Sequence, residues 1–390
     1  MRMPPFPDQR FGDADPLDTR LAASHGQSAA AGPWWALRSR LALGMALTPR
    51  PGLVLLTLGV AIGPAGLNVL SPSVLTNLDP IVSVALAALG VMVGFGLHTH
   101  RPGDGRLLAA ASLQAAVTVV MVAAGVWALE LLWLRTGVGH WWLAALVGLS
   151  AAASSTAAQP SDDDTVAMRI SDLDDVLPIV LGGFVLTMLS SGPGWAPLLL
   201  TLAAGTMAAL VAVAGWLLIG RTATESEQRT FLAGALLLIG GVAAYLSQSA
   251  LFTGLAAGIT WNLAGGEARD RMARDLRALQ HPLIVLLLIV AGARVTLAVA
   301  ALTLAVAYLA CRVSGKLLGG WLVGRWVGRG AASGLGVALV SPGVAGIAFA
   351  MNVVQADADV ARAGMVLAIV VVGSLASELV SLALGRTEAP

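Results

Sequence analysis

The chain has 390 residues, a mean hydropathy of +0.81, 57% apolar residues and only 12% charged ones. A soluble domain carries roughly twice that charged fraction, so an ordinary soluble protein is excluded. The net charge of +1 says nothing about partners, no basic block suggests nucleic acid, and the single cysteine, Cys311, excludes an internal disulfide and any multi-cysteine metal site.

Residues 1–33 are polar and rich in Pro, Asp, Gly and Ala, which predicts a disordered tail rather than a signal peptide. Trp34 to Leu47 follow as a candidate interfacial helix, because Arg38 and Arg40 near its middle argue against spanning. The expected organisation is therefore a cytoplasmic segment, 1–50, ahead of a membrane domain, 51–390. From Pro51 onward there are twelve apolar segments, most near the ~20 residues a span needs. Their limits are 53–70, 76–98, 106–133, 139–158, 165–189, 195–219, 229–247, 250–263, 281–299, 301–325, 334–355 and 362–385. None shows the alternation of a transmembrane barrel, so the predicted fold is an all-α polytopic membrane protein. His98 and His100 stand two apart in a polar turn, where a solvated loop outweighs a metal site.

Arginine placement tests that count independently. With the N-terminus inside, about 18 arginines fall before the first span, after the last, or in inner loops, against 2 outside, Arg135 and Arg362. An error in the number of spans would scramble this asymmetry. Twelve spans with both termini cytoplasmic, in a plasma membrane and surrounded by lipid, is the expected topology.

Two spans are interrupted. The fourth ends in Ser154-Ser155-Thr156-Ala157, and the eleventh holds Ser341-Pro342-Gly343. Broken segments at corresponding positions of two halves point to inverted repeats and to a transporter site at mid-depth. Close packing through small residues is the plainer alternative, and it explains the fourth span better than the eleventh.

The charges inside apolar segments carry the functional argument. Asp174 and Asp175 open the run Ile179 to Leu189, and each carboxylate in hydrocarbon costs roughly 2.5–3.5 kcal/mol unless it is paired, protonated or hydrated. With the helix started near Asp164, Asp175 lies ~16 Å in; with a start at Ile170 it lies only about 8 Å in. Asp172 shares a face with Asp175 and can pair with Arg169 at the same i, i+3 spacing. Pro178 cannot donate to the carbonyl of Asp174, which leaves that oxygen for an ion or a water. The chain's only lysine, Lys316, is too deep in the tenth segment to snorkel easily, and Asp174 is its natural partner. A static salt bridge is the structural alternative, and it is compatible with transport. Glu378 near the inner end of the last segment, Glu130 and Arg294 are weaker signals, better explained by packing or interfacial roles, while Asn352 either lines the cavity or hydrogen-bonds a neighbouring helix. No nucleotide cradle, metal cluster or nucleophile elbow is present, so neither an enzyme nor a cofactor is expected.

Taken together and in order, these stretches resemble the cation/proton antiporter superfamily. Asp174-Asp175-Val176-Leu177 is similar to its paired-aspartate motif, and Ser154-Ser155-Thr156-Ala157 to its broken fourth helix. Ile62-Gly63-Pro64 resembles the end of its first helix, Ser249 to Gly258 its eighth, and Arg312-Val313-Ser314-Gly315-Lys316 the helix carrying its buried lysine. The resemblance implies a core domain with two crossed, interrupted helices moving against a dimerisation domain in a homodimer. By it, Asp175 is the main ion-binding carboxylate, with Ser155 and Thr156 beside it, and Asp174 is paired with Lys316 until a cation displaces the pairing. The transported ions would be H+ and a monovalent cation, Na+ or else Li+ or K+, exchanged electrogenically. A sodium-coupled organic-anion symporter of the same fold and a non-transporting membrane sensor are the rival readings. Deleting residues 1–50 is expected to leave the yield and melting temperature of the membrane-inserted protein nearly unchanged, measured by fluorescence-detected thermal unfolding in detergent.

Overall fold

The computed structural model describes residues 51–97, 104–134, 140–155, 164–192, 194–221, 224–327 and 332–387. The tail and interfacial helix expected over 1–50 lie outside these residues, as do His98, His100 and Thr156. The described residues are helical almost throughout, because a chain in lipid must satisfy its backbone polar groups within each segment. α1 (Pro51–Ile62), the short α2 (Pro72–Asn77) and α3 (Asp79–Gly96) are followed by α4 (Asp104–Leu129), which continues into a π-helical turn at Glu130–Leu134. Next come α5 (His140–Ala151), α6 (Asp164–Leu173), α7 (Val176–Ser191), α8 (Ala196–Ile219) and α9 (Glu225–Tyr245). The chain closes with α10 (Ala250–Ala264), α11 (Gly266–Ala293), α12 (Val299–Val327), α13 (Ala332–Ala338), α14 (Val344–Ala356) and α15 (Val360–Thr387).

Eight stretches of this set are long and apolar enough to cross a membrane, and α1, α5, α10 and α14 are shorter apolar helices. Each of the twelve predicted segments therefore has its helix, and the chain is a multi-pass membrane protein. Helix ends follow local chemistry. Ser249 Oγ accepts from Phe252 N at 3.1 Å to cap α10, and Thr224 caps α9 through Glu227 N at 3.4 Å. Gly265, at φ 65°, turns the chain from α10 into α11.

The ninth segment is longer than its hydropathy predicts. The expected span 281–299 is preceded by about four more helical turns, because Met272 and Leu276 form an i, i+4 apolar pair among the arginines and bury against Ile219, Leu232 and Trp261. Gln228 Nε2 donates to Asp275 Oδ2 at 2.8 Å and fixes this extension to α9. At the other end of α11, Arg294 donates to Asp79 Oδ1 at 2.5 Å and to Leu75 O at 2.6 Å, so it serves as a tie to α2 and α3.

The packing repeats between the two halves. α3 lies on α10 as α1 lies on α11; α4 meets α5 as α12 meets α13; α5 meets α7 as α14 meets α15; and α4 packs against its counterpart α12. This is the contact pattern of two structural repeats. The first pair of contacts depends on backbone approach. A Cβ at Gly254 would stand 2.0 Å from Ala87 O, and one at Gly90 would stand 2.2 Å from Leu251 O. Such close crossings through small residues replace the hydrophobic drive that lipid does not supply. Replacing Gly254 by Ala is expected to cost about 1–3 kcal/mol through overpacking. Gly234→Ala, where nothing stands within 4 Å of the new methyl, is expected to be neutral or slightly stabilising; thermal unfolding of the two variants in the same detergent checks the contrast.

Candidate functional site at the crossing of two broken helices

Both predicted interruptions are real, and they meet. α5 stops at Ala151 and the chain runs extended through Ser155; α13 stops at Ala338 and α14 begins only at Val344. The two extended stretches lie antiparallel, bridged between Ser154 and Pro342. Ser155 N donates to Ser341 O at 3.0 Å, and Gly343 N donates to Ala153 O at 3.3 Å. A Cβ at Gly343 would lie 2.8 Å from Ser154 O, so the crossing can be this close only with glycine there. Pro342 and the run of small residues explain why neither helix continues.

Breaking two helices leaves carbonyls in the apolar interior, and α12 supplies their donors. Arg312, fully buried, donates to Val340 O at 3.0 Å and to Ala153 O at 2.5 Å, one carbonyl from each break. Lys316, one turn further and also fully buried, donates to Ala152 O, to Gln114 Oε1 at 3.4 Å and to Asp174 Oδ2 at 3.0 Å. The predicted partner of the lysine is thus its partner in the structure, as a salt bridge with no exposed surface on either side chain.

Asp174 and Asp175 occupy a turn between α6 and α7, a break that the unbroken fifth helix of the sequence reading does not contain. Asp174 N still donates to Ile170 O at 2.9 Å and Ile179 N donates to Asp175 O at 3.2 Å, so the two helices stay nearly continuous. Asp174 Oδ2 also accepts from Ser154 Oγ, and Ser171 Oγ donates to Ser154 O at 2.9 Å, tying the acid to the first break. What remains is a pair of oxygens. Asp174 Oδ1 and Asp175 Oδ1 are both shielded from solvent and accept no hydrogen bond among the described residues. Buried carboxylate oxygens without donors are costly, and a bound proton or cation is the direct way to satisfy them.

The other predicted residues fall as follows. Ser155 Oγ lies 3.1 Å from Ser341 Oγ and donates to Pro342 O at 3.0 Å, inside the crossing. Glu378 Oε2 accepts from Ser341 Oγ at 3.4 Å on the second break. Asn352 is buried elsewhere: its Oδ1 accepts from Ala250 N at 3.0 Å and its Nδ2 donates to Ser249 Oγ at 2.9 Å, so it caps α10. Asp172 is exposed on α6 and Arg169 half-buried three residues before it. Sequence reasoning missed Arg312, Gln114 and Ser171. The signal for Arg312 was available, since it precedes Lys316 by four residues on one face of an apolar helix.

The fold is therefore an all-α membrane bundle in which two interrupted helices cross, with a buried acid–lysine pair against the crossing. This fold is shared with a solved structure to which the chain is similar, that of the sodium proton antiporter MjNhaP1 from Methanocaldococcus jannaschii, at TM-score 0.61 and 16% identity, over 87% of this chain and 94% of that one. No protein-family model matches the sequence, and no curated protein matches it. Replacing Arg312 by Gln removes charged donors from two buried carbonyls and is expected to cost roughly 3 kcal/mol or more. Arg312→Lys is expected to recover only part of this, since one ammonium replaces a fork that spans both breaks; melting temperatures of the three proteins check the order.

Proposed function

We propose that the protein is a secondary transporter that exchanges protons for a monovalent cation, with Na+ the first candidate, by alternating access. The observation that carries this reading is the pair of donor-less carboxylate oxygens on Asp174 and Asp175, held against the helix crossing by Ser154 and Lys316. Asp175 is the main ion-binding group, because its neighbour is already committed to the lysine. Proton and cation compete there, since a site in low dielectric does not hold both charges at once. A cation that approaches Asp174 weakens its bond to Lys316, whose ammonium keeps the carbonyl of Ala152 as an alternative acceptor. Lys316 and Asp174 thus form a linked pair whose charges change together.

The moving parts follow the packing. α4 to α7 and α12 to α15 surround the crossing and form the proposed core domain. α3 and α8 to α11 share a separate apolar cluster built on Trp261, Ile239 and Leu236 and, with α1, form the proposed dimerisation domain of a homodimer. The arginine asymmetry supports a plasma-membrane orientation with both termini cytoplasmic.

The test is a pH-gradient assay in proteoliposomes, adding Na+, Li+ or K+ to wild type and to Asp175→Asn. Cation-evoked collapse of the gradient in wild type, with loss of at least tenfold in the variant, is expected. Folded wild-type protein that moves no protons with any of the three cations contradicts the proposal and turns attention to a sodium-coupled anion symporter.

A further inference from the structure

The crossing has two faces, and the acid pair occupies only one. Successive side chains of an extended strand point to opposite sides. Ser154 therefore faces Asp174, while Ser155 faces the second break, where its hydroxyl meets Ser341 Oγ and Pro342 O. Ser341 in turn reaches Glu378 on α15. Each break thus presents a serine to a buried carboxyl on the span that follows it: Ser154 to Asp174, Ser341 to Glu378. Glu378 is 8% exposed, far less than a charged residue near a helix end needs to be if it only faces water. It lines a cavity of about 50 Å³ together with Pro342, Gly343 and Ser374 on the core side, and with Leu53 and Leu288 from α1 and α11 opposite. The cavity therefore lies where the proposed core and dimerisation domains face one another.

We propose that Glu378 is a second proton-binding carboxylate, on the face of the helix crossing away from Asp174, and that it takes up and releases its proton through this cavity during the exchange cycle. The proposal rests on the antiport reading for its place in a cycle, though not for the titration itself. Its chemistry is simple. The carboxyl binds one proton, and Ser341 Oγ, which can donate or accept, follows its state. Three serines and the bridge between the two breaks link this carboxyl to Asp174. Among the described residues, the Arg312 guanidinium of α12 acts electrostatically on Glu378, Asp174 and Asp175 together, and Tyr308 of the same helix stands near Ser374, one turn before Glu378. Among the described residues, α1, α11 and α14 bring uncharged side chains to the cavity, Leu53, Leu56, Leu288, Val344 and Ile347, beside Gly52. Arg312 holds a constant charge, so protonation of Glu378 changes the net charge at the crossing by one unit.

Two readouts on the full-length protein in lipid test this. The first is the infrared difference spectrum between acidic and alkaline buffer. A protonated-carboxyl stretching band present in wild type, absent from Glu378→Gln and retained in Asp174→Asn is expected. Superimposable wild-type and Glu378→Gln spectra overturn the proposal. The second is the pH profile of cation-driven proton movement. Glu378→Gln is expected to flatten it, and Glu378→Asp to restore its shape. A profile of unchanged shape, scaled equally at every pH, means that Glu378 only packs, and overturns the proposal. If Glu378→Gln does not fold, Ser341→Ala replaces it: the infrared band shifts when its hydroxyl partner is lost, and an unshifted band counts against the site. If wild type moves no cation at all, the antiport reading fails while the infrared result still decides whether Glu378 titrates.

Discussion

The structure depends on how two broken helices are satisfied inside an apolar interior. Each interruption exposes backbone groups that, away from water, cost several kcal/mol apiece if left alone. The chain meets part of this cost by pairing the breaks with one another, through Ser155 N to Ser341 O and Gly343 N to Ala153 O. The carbonyls left over go to the two cations of α12. Arg312 takes one from each break, and Lys316 takes Ala152 O. Charge is thus buried first because the backbone needs donors. Carboxylates follow because buried cations need partners, and Asp174 and Glu378 are in reach of them.

This order of causes separates the two cations. Arg312 is tied to both breaks by a planar fork and cannot release its proton, so it serves as fixed geometry. Lys316 divides its ammonium between a carbonyl, an amide oxygen and Asp174, three acceptors that differ in charge. It can give up the carboxylate and remain hydrogen-bonded. A site that must release one charge when another arrives needs such a group, and an arginine there would lock it. The asymmetry also explains why Asp174 rather than Asp175 holds the lysine: Ser154 and Ser171 fix Asp174 to the first break, leaving its neighbour half-buried at the turn between α6 and α7.

Much of this was legible in the sequence, for physical reasons that are local. A span must be apolar for about twenty residues, and arginines must sort by side, so all twelve segments could be read and ordered. Ser341-Pro342-Gly343 cannot continue a helix, and an acid pair or a lone lysine in hydrocarbon demands a partner. The remainder depends on contacts between distant residues. Nothing near Arg312 says that its guanidinium spans Val340 and Ala153, since those carbonyls are freed by breaks on two other helices. Asn352 read as a polar residue in an apolar span, and only the placement of α10 shows it capping Ser249 and Ala250. The N-terminal extension of α11 was hidden because four arginines outweigh Met272 and Leu276 in any hydropathy average. The turn at Asp174 and Asp175 likewise has no local breaker ahead of it, and Pro178, three residues on, suits the first turn of a new helix.

The central claim is that a cation and a proton compete for the carboxylates beside the crossing. The most direct measurement is the melting temperature of the purified protein as Na+ is added at several pH values, for wild type and Asp175→Asn. A ligand that binds the folded protein raises its melting temperature, and a cation that competes with protons does so more strongly as the pH rises. The account predicts a Na+-dependent rise in wild type that grows with pH and disappears in the variant. An equal rise in both proteins, or one that does not change with pH, would contradict it.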